Sequence, residues 1–201
     1  MPWKNGGGST RELFVIPHES ESDKFYFRIS IAQVNQAGPF SLYPGIDRFL
    51  MLLEGKGFTL HFEDKSHVKL AAPFDSFEFE GEEKIQCELI DKNCLDFNIM
   101  TDRNWGQSSV NLTHLKMNQI KRYQPTNHTF LYLYQNSPKL IVLEPNEKFE
   151  FKATDAASFK IPILGFTLNL LWMFRKIPEF YLIVFPKQQI LTNTATPINF
   201  L

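Results

Sequence analysis

The stretch Phe25-Tyr-Phe-Arg-Ile-Ser-Ile-Ala-Gln-Val34 decides the fold class. Large apolar side chains recur at every second position, which predicts a β-strand, because successive side chains of a strand point to opposite faces. One face carries Phe25, Phe27, Ile29 and Ile31, and the other carries Tyr26, Arg28, Ser30 and Ala32. The chain is therefore interpreted first as an all-β protein.

Similar stretches recur about every ten residues, the spacing of a β-sandwich or barrel. An apolar strand at 46–54 turns at Gly55-Lys56-Gly57 and returns at 58–62, which is a hairpin pattern. Residues 13–16 are predicted as a strand despite the helix capping box at 9–12, because Pro17 would stop a helix after one turn. Further strands are predicted at 67–70, 76–79, 85–90, 94–100, 110–116, 130–134, 140–143, 149–151 and 181–185. Residues 161–174 fit either a short helix or a buried strand pair, and the tail from Lys187 is predicted to be disordered.

Composition excludes several classes of function. The 201 residues carry a formal net charge of -1, which excludes nucleic-acid binding through bulk positive charge. Two cysteines, Cys87 and Cys94, are too few for a disulfide scaffold; a disulfide across their short loop is one option, and two reduced, half-buried thiols are the favoured interpretation. The N-terminus lacks the apolar run of a signal peptide, and the apolar segment at 161–174 is too short to span a bilayer. We expect a soluble cytoplasmic protein with no membrane or nucleic-acid partner.

Polar side chains embedded in apolar strands are the candidates for chemistry. Arg28 lies within the opening stretch, Asp47 and Arg48 begin the strand at 46–54, and Asp96 and Asn98 share one face of the strand at 94–100. A buried charge needs a partner. Two interpretations stay open: a solvated face or structural Arg–Asp pair, and a pocket whose arginines bind a carboxylate.

Several uncommon strings carry a family resemblance. They are Met-Pro-Trp-Lys-Asn-Gly-Gly-Gly-Ser-Thr-Arg-Glu at 1–12, Phe-Arg-Ile-Ser-Ile-Ala at 27–32 and Gly-Pro-Phe-Ser-Leu-Tyr-Pro-Gly-Ile-Asp-Arg at 38–48. Pro-Phe at 73–74, Phe-Glu-Phe-Glu-Gly at 77–81 and Leu-Asp-Phe-Asn-Ile-Met at 95–100 continue in the same order. Residues 1–103 thereby resemble the HutD/Ves family; the likeness is looser to about residue 160 and is lost beyond Lys160.

The resemblance implies a cupin-like β-barrel or sandwich with a bicupin (RmlC-like) architecture. It divides the chain into a first half at 1–103, a second half at 104–186 and a tail at 187–201, within one compact unit. It further implies a bacterial protein linked to histidine utilisation. Its expected role is regulatory, through binding of urocanate or a formylated glutamate derivative without established catalysis. The Ves branch implies a stress-induced protein instead.

The resemblance also assigns roles to single residues. Trp3 is expected to pack over the pocket opening, Lys4 and Asn5 to reach an anion, and the turns around Ser41 and Tyr43 to position Asp47 and Arg48. The candidate ligand-binding residues are Trp3, Lys4, Asn5, Arg28, Ser41, Asp47, Arg48, Asp96 and Asn98.

Metal chemistry has little support in the sequence. Only His61 and Glu63 are reminiscent of a cupin metal strand, and His61 is interpreted as an exposed histidine. We expect no metal and no cofactor, and the sequence allows a homodimer. Two alternatives remain. One is an isomerase-like or epimerase-like enzyme with Asp47 or Asp96 as the base and Lys4 or Tyr43 as the acid. The other is an interaction module with a vestigial pocket.

Overall fold

The computed structural model describes residues 1–3, 6–116, 120–124, 129–134, 139–143, 149–152, 160–163, 166–169 and 179–189. Every regular element in these ranges is a β-strand, and the sheets are antiparallel where their register is defined. The predicted all-β fold class is thereby confirmed. The chain forms two compact units, at 1–106 and 107–201, whereas the sequence-based boundary falls at 103/104. Within the described ranges, no helix has the length and apolar character needed to cross a lipid bilayer.

Two sheets build the first unit. Its strands are β1 (Gly8–Pro17), β2 (Phe25–Val34), β3 (Gly38–Pro39), β4 (Ile46–Glu54), β5 (Phe58–Phe62), β6 (His67–Leu70), β7 (Ser76–Glu80), β8 (Ile85–Leu89) and β9 (Cys94–Asp102). One sheet has the order β1-β2-β9-β4-β7 and the other has the order β3-β8-β5-β6. Strand β9 thus lies between β2 and β4, although it follows them in the chain.

The first strand replaces the helix that its capping box would allow. Aromatic and β-branched residues favour an extended backbone there, and β1 pairs with β2 over its whole length. An irregularity between Glu12 and Phe14 shifts the register by one residue. Glu12 consequently lies opposite Ser30, while Val15 lies opposite Arg28.

The core of this unit draws its side chains from both sheets. Leu50 and Leu52 of β4 pack in one apolar cluster with Phe58 and Leu60 of β5, and all four have 0% exposure. Fully burying such a side chain stabilises the fold by about 1.5–3 kcal/mol. Cys87 and Cys94 belong to the same cluster and are free thiols, as predicted. Burial raises the pKa of Cys87 to about 12, so this thiol is unreactive at neutral pH.

The predicted hairpin between β4 and β5 is wrong, although the predicted turn at Gly57 is present. The φ of Gly57, +90°, is a left-handed conformation, and an added Cβ would lie 1.8 Å from the Leu70 carbonyl oxygen. The two strands joined by this turn enter different sheets, β4 beside β9 and β5 beside β8. The turn therefore connects the two layers rather than two paired neighbours.

The second unit is also built from strands. They are β10 (Gly106–Ser108), β11 (Asn111–Lys116), β12 (Ile120–Tyr123), β13 (Thr129–Tyr134), β14 (Lys139–Leu143), β15 (Phe149–Lys152), β16 (Lys160–Ile163), β17 (Phe166–Asn169) and β18 (Glu179–Gln189). Strand β18 lies between β10 and β13 and also pairs with β11. Strands β16 and β17 pair with each other, so the strand-pair alternative for 161–174 is correct over the described residues. Strand β18 runs to Gln189, past the predicted start of the tail at Lys187, and residues 190–201 lie outside the described ranges.

Candidate functional site

A cavity of about 560 Å³ opens inside the first unit, within the range of small-molecule pockets. The predicted residues Trp3, Arg28, Ser41, Arg48, Asp96 and Asn98 line it. Strand alternation explains this grouping. Arg28 and Arg48 both lie opposite Met100 of β9, and Asn98 and Asp96 follow at every second position along β9. Directly opposed residues of paired strands share a face, so these side chains enter one space.

Arg48 is a buried cation, with 7% of its surface exposed. Its Nη2 donates to Asn98 Oδ1 at 3.1 Å, and its Nη1 donates to the Ser41 carbonyl oxygen at 3.4 Å. The guanidinium also lies 4.8 Å from the centre of the Phe79 ring and 5.3 Å from that of Phe40. Burial lowers the pKa of Arg48 to about 10, so it keeps its charge at neutral pH.

Arg28 is held by an aromatic and thioether environment. Its guanidinium carbon lies 4.4 Å from the Phe25 ring centre, and its Nη2 donates to Met100 Sδ at 2.8 Å and to the Tyr43 hydroxyl at 3.4 Å. Among the described residues, neither Arg28 nor Arg48 forms an ion pair with a carboxylate. The Nε atoms of both are buried without a hydrogen-bond partner in that part of the chain. The cavity is therefore lined by one buried and one half-buried cation, each with an unused Nε donor.

Asp96 lies deeper in the same face and is 1% exposed. The Asn98 side-chain amide donates to Asp96 Oδ1 while its oxygen accepts from Arg48. Burial raises the pKa of Asp96 to about 7, and the charge of Arg48 only partly opposes this rise. Asp96 is therefore poised to gain or lose a proton near neutral pH.

The N-terminal residues form part of the cavity wall. The backbone N–H of Trp3 donates to the Gly8 carbonyl at 2.9 Å, and its indole Nε1 donates to Thr10 Oγ1 at 2.7 Å. Gly8 is required for this approach, because an added Cβ would lie 2.9 Å from the Trp3 ring and 2.2 Å from the Gln33 carbonyl oxygen. Trp3 thus lies at the cavity, while Lys4 and Asn5 lie outside the described residues.

Asp47 is not brought into the cavity. It precedes Arg48 in β4 and so points to the opposite face of the strand, where Asp47 itself is exposed. There its Oδ1 accepts from Arg103 Nε at 2.5 Å, and the same guanidinium binds both carboxylate oxygens of Glu82. The expected pairing of Asp47 with the arginines of the pocket is therefore wrong.

The cavity also contains residues that sequence reasoning did not select. Thr10 and Glu12 lie two residues apart in β1, and Ser30 lies two residues after Arg28 in β2. The alternation of side chains along these strands could therefore have identified all three as residues of the cavity wall. Phe40 and Met100 gave no such signal, because apolar residues are common in any strand. The contact of Met100 with Arg28 depends on β9 lying beside β2.

His61 lies outside this cavity. Its Nε2 is 3.0 Å from Glu88 Oε2, and Glu63 pairs with Lys84 at 2.8 Å. In the described ranges, no group of three or more histidine, cysteine or acidic residues could hold a metal ion. That the purified protein contains no metal ion stays a prediction.

Comparison with known proteins identifies the family to which the chain belongs. The family described as HutD matches residues 1–170. The chain belongs to the HutD family. This agrees with the resemblance carried by the N-terminal strings, and it extends beyond residue 160, where that resemblance ends.

One curated relative of this HutD-family chain comes from Pseudomonas putida. An uncharacterized 21.2 kDa protein in the hutC 3′ region of Pseudomonas putida is 39% identical over 100 residues. That match covers 50% of this chain and 52% of the relative, so the chain spans about half the length of this curated relative. The HutD family is associated with the histidine-utilisation locus.

Two solved structures share the fold. The structure of HutD from Pseudomonas fluorescens SBW25, described for a formate condition, aligns with a TM-score of 0.64 and 22% identity over 94% of this chain and 93% of that chain. A conserved protein of unknown function from Pseudomonas aeruginosa PAO1 aligns with a TM-score of 0.59 and 22% identity over the same shares of the two chains. At this identity the likeness shows the fold alone.

Proposed function

We propose that this HutD-family chain binds a small carboxylate metabolite without a metal and acts as a regulatory sensor in histidine utilisation. The observation that carries the proposal is the pair of guanidinium groups of the buried Arg48 and the half-buried Arg28, whose buried Nε donors lack partners among the described residues. A buried charge without a counter-charge is costly, and a carboxylate entering the cavity would supply both the charge and the acceptors.

The geometry favours an anion of metabolite size. Arg28 and Arg48 lie on two strands separated by β9, about 10 Å apart at the backbone, given about 4.8 Å between neighbouring strands. Each charge-assisted hydrogen bond contributes roughly 1.5–3 kcal/mol. Two or three of them, less the cost of ordering the ligand, correspond to micromolar affinity.

Calorimetry with urocanate, N-formylglutamate and acetate tests this proposal. We expect micromolar binding of at least one carboxylate and no binding of its uncharged amide. Arg48→Gln should abolish binding, whereas Arg11→Gln, on the exposed face of β1, should leave it unchanged. The proposal fails if wild-type protein binds none of the three, or if Arg48→Gln binds as well as wild type.

The wider parts of the proposal have separate tests. We infer a cytoplasmic location with no nucleic-acid or membrane partner, and cell fractionation checks it. A homodimer would appear in sedimentation as twice the mass of 23.4 kDa. Elemental analysis that found one zinc, iron or manganese per chain would contradict the metal-free site.

A second candidate is a small-molecule acid–base enzyme. The observation that favours it is Asp96, a buried carboxyl lining the cavity with its pKa raised to about 7, which suits a general acid or base. Turnover of urocanate or imidazolone propionate by purified protein, lost in Asp96→Asn, would decide for the enzyme. Tight binding without turnover would decide for the sensor.

A further inference from the structure

A carboxylate of the cavity wall has no place in the proposed carboxylate site. Glu12 of β1 lines the cavity, and it lies opposite Ser30, which in turn lies opposite Asn98. Within the part of the chain that the structure describes, its side chain makes neither a hydrogen bond nor an ion pair. A negative group thus faces a cavity whose other charged lining groups include two unpaired cations.

Glu12 and Arg28 do not neutralise each other, although they are diagonal neighbours on paired strands. The bulge after Glu12 places Val15, and not a polar residue, opposite Arg28. The Arg28 guanidinium instead turns to Met100 and Tyr43, away from β1. The cavity therefore carries the Glu12 carboxylate on β1 and the two guanidinium groups on β2 and β4. The buried Asp96 carboxyl lies on β9 beside the cations, and the Met1 ammonium donates to the Thr10 carbonyl of β1.

The separation of the charges sets the length of a ligand. Glu12 and Arg48 lie on strands three spacings apart in the order β1-β2-β9-β4, which is about 14 Å at the backbone. Their side chains occupy part of that distance. Trp3, Phe40 and Met100 line the cavity with apolar surface. This arrangement is complementary to a short, flat molecule with a carboxylate at one end and a nitrogen donor at the other.

We propose that Glu12 binds the nitrogen-bearing end of the ligand, an ammonium or an N–H donor, while Arg28 and Arg48 hold its carboxylate. This inference rests on the proposed carboxylate site and adds a selection rule to it. The pocket takes bipolar molecules in preference to plain carboxylates of the same size.

Two probes of equal shape test this rule, 4-(aminomethyl)benzoate and 4-ethylbenzoate, because they differ in an ammonium group against a methyl group. We expect wild-type protein to bind the aminomethyl compound about two- to fivefold more tightly, the size of an ion pair with an exposed carboxylate such as Glu12. Glu12→Gln should lose most of this preference and keep its affinity for 4-ethylbenzoate. Glu19→Gln removes an equal charge outside the cavity and should keep the preference, with thermal melting verifying that each variant is folded.

The outcomes separate the two proposals. Equal binding of both probes, or a preference that survives Glu12→Gln, overturns the role of Glu12 and leaves the carboxylate site standing. Binding of acetate, urocanate or N-formylglutamate but of neither benzoate also overturns the bipolar rule for flat ligands. If wild-type protein binds no carboxylate at all, the carboxylate site fails and this inference fails with it.

Discussion

The guanidinium group of Arg48 and the carboxyl group of Asp96 are joined through the Asn98 amide and form no direct ion pair. A direct pair would neutralise both charges and leave the cavity indifferent to an anion. With the amide between them, Arg48 keeps its positive field toward the cavity and Asp96 keeps a pKa near 7. The two buried groups therefore interact by charge without direct contact, and a ligand bound to Arg48 affects Asp96 as well.

Replacing Arg28 should abolish binding without unfolding the protein. Its guanidinium pairs with no carboxylate among the described residues, so Arg28→Ala leaves no buried anion behind. We expect about 30- to 1,000-fold weaker carboxylate binding by calorimetry, the size of a lost buried charge contact. Unchanged affinity would contradict this assignment. A fall of several kcal/mol in stability would instead mark Arg28 as a structural residue.

Asp96 should make the folded state less stable as pH rises. Its pKa of about 7 is raised above the model-compound value of 3.8, so the folded state holds a proton that the unfolded state releases. The stabilisation is fully present below pH 3.8 and is lost as pH rises through about 7. Denaturant titrations across this range should show a decline on the order of a few kcal/mol, and Asp96→Asn should remove it. A wild-type slope that persists in Asp96→Asn would refute the assignment.

Carboxylate binding should be accompanied by proton uptake. A carboxylate bound to Arg48 offsets the positive charge that opposes the raised pKa of Asp96, so that pKa rises further. At pH 7 we expect uptake of a fraction of one proton, measured as a dependence of the binding enthalpy on the ionisation heat of the buffer. The same enthalpy in every buffer would show that Asp96 does not respond.

Gly8 should be intolerant of a side chain. Gly8→Ala would force a Cβ into the Gln33 carbonyl and the Trp3 ring, and we expect altered tryptophan fluorescence and weaker ligand binding. Gly38→Ala is the matched control, because nothing lies within 4 Å of an added Cβ there. Equal behaviour of the two variants would show that the Trp3 wall does not depend on Gly8.

Replacing Asp47 should leave ligand binding unchanged, whereas replacing Asn98 should weaken it. Asp47→Asn changes only an exposed contact with Arg103, so we expect unchanged carboxylate affinity and a stability change below about 1 kcal/mol. Asn98→Ala removes the amide between Arg48 and Asp96, and it should cost about 1–3 kcal/mol of stability and weaken binding. Binding that falls in Asp47→Asn would return Asp47 to the site.

Period-2 alternation was sufficient to predict most strands of the first unit and the shared face of Asp96 and Asn98. It also predicted that Arg28 points away from Phe27, as the cavity lining shows. Alternation is a local property, and each strand carries it without reference to its neighbours. This is why the all-β class followed from one stretch of the chain.

The partners of these side chains did not follow from the sequence. Asp47 and Arg48 are adjacent in the chain, and both faces of β4 carry buried side chains, so the pattern of this strand alone does not decide which of them enters the cavity. Whether Arg48 meets Asp96 or Asn98 depends on the register of β4 against β9, which two distant segments set together. The pairing of Glu12 with Ser30, which places Glu12 in the cavity wall, likewise depends on the register of β1 against β2.

The position of β9 between β2 and β4 has a consequence for the timing of folding. A nascent chain that ends before residue 94 already contains both arginines but lacks the strand that places them on one face. Such non-local pairing forms slowly, since distant segments must close a large loop first. Ligand can therefore stabilise only the fully paired sheet and should slow its unfolding far more than it speeds its formation.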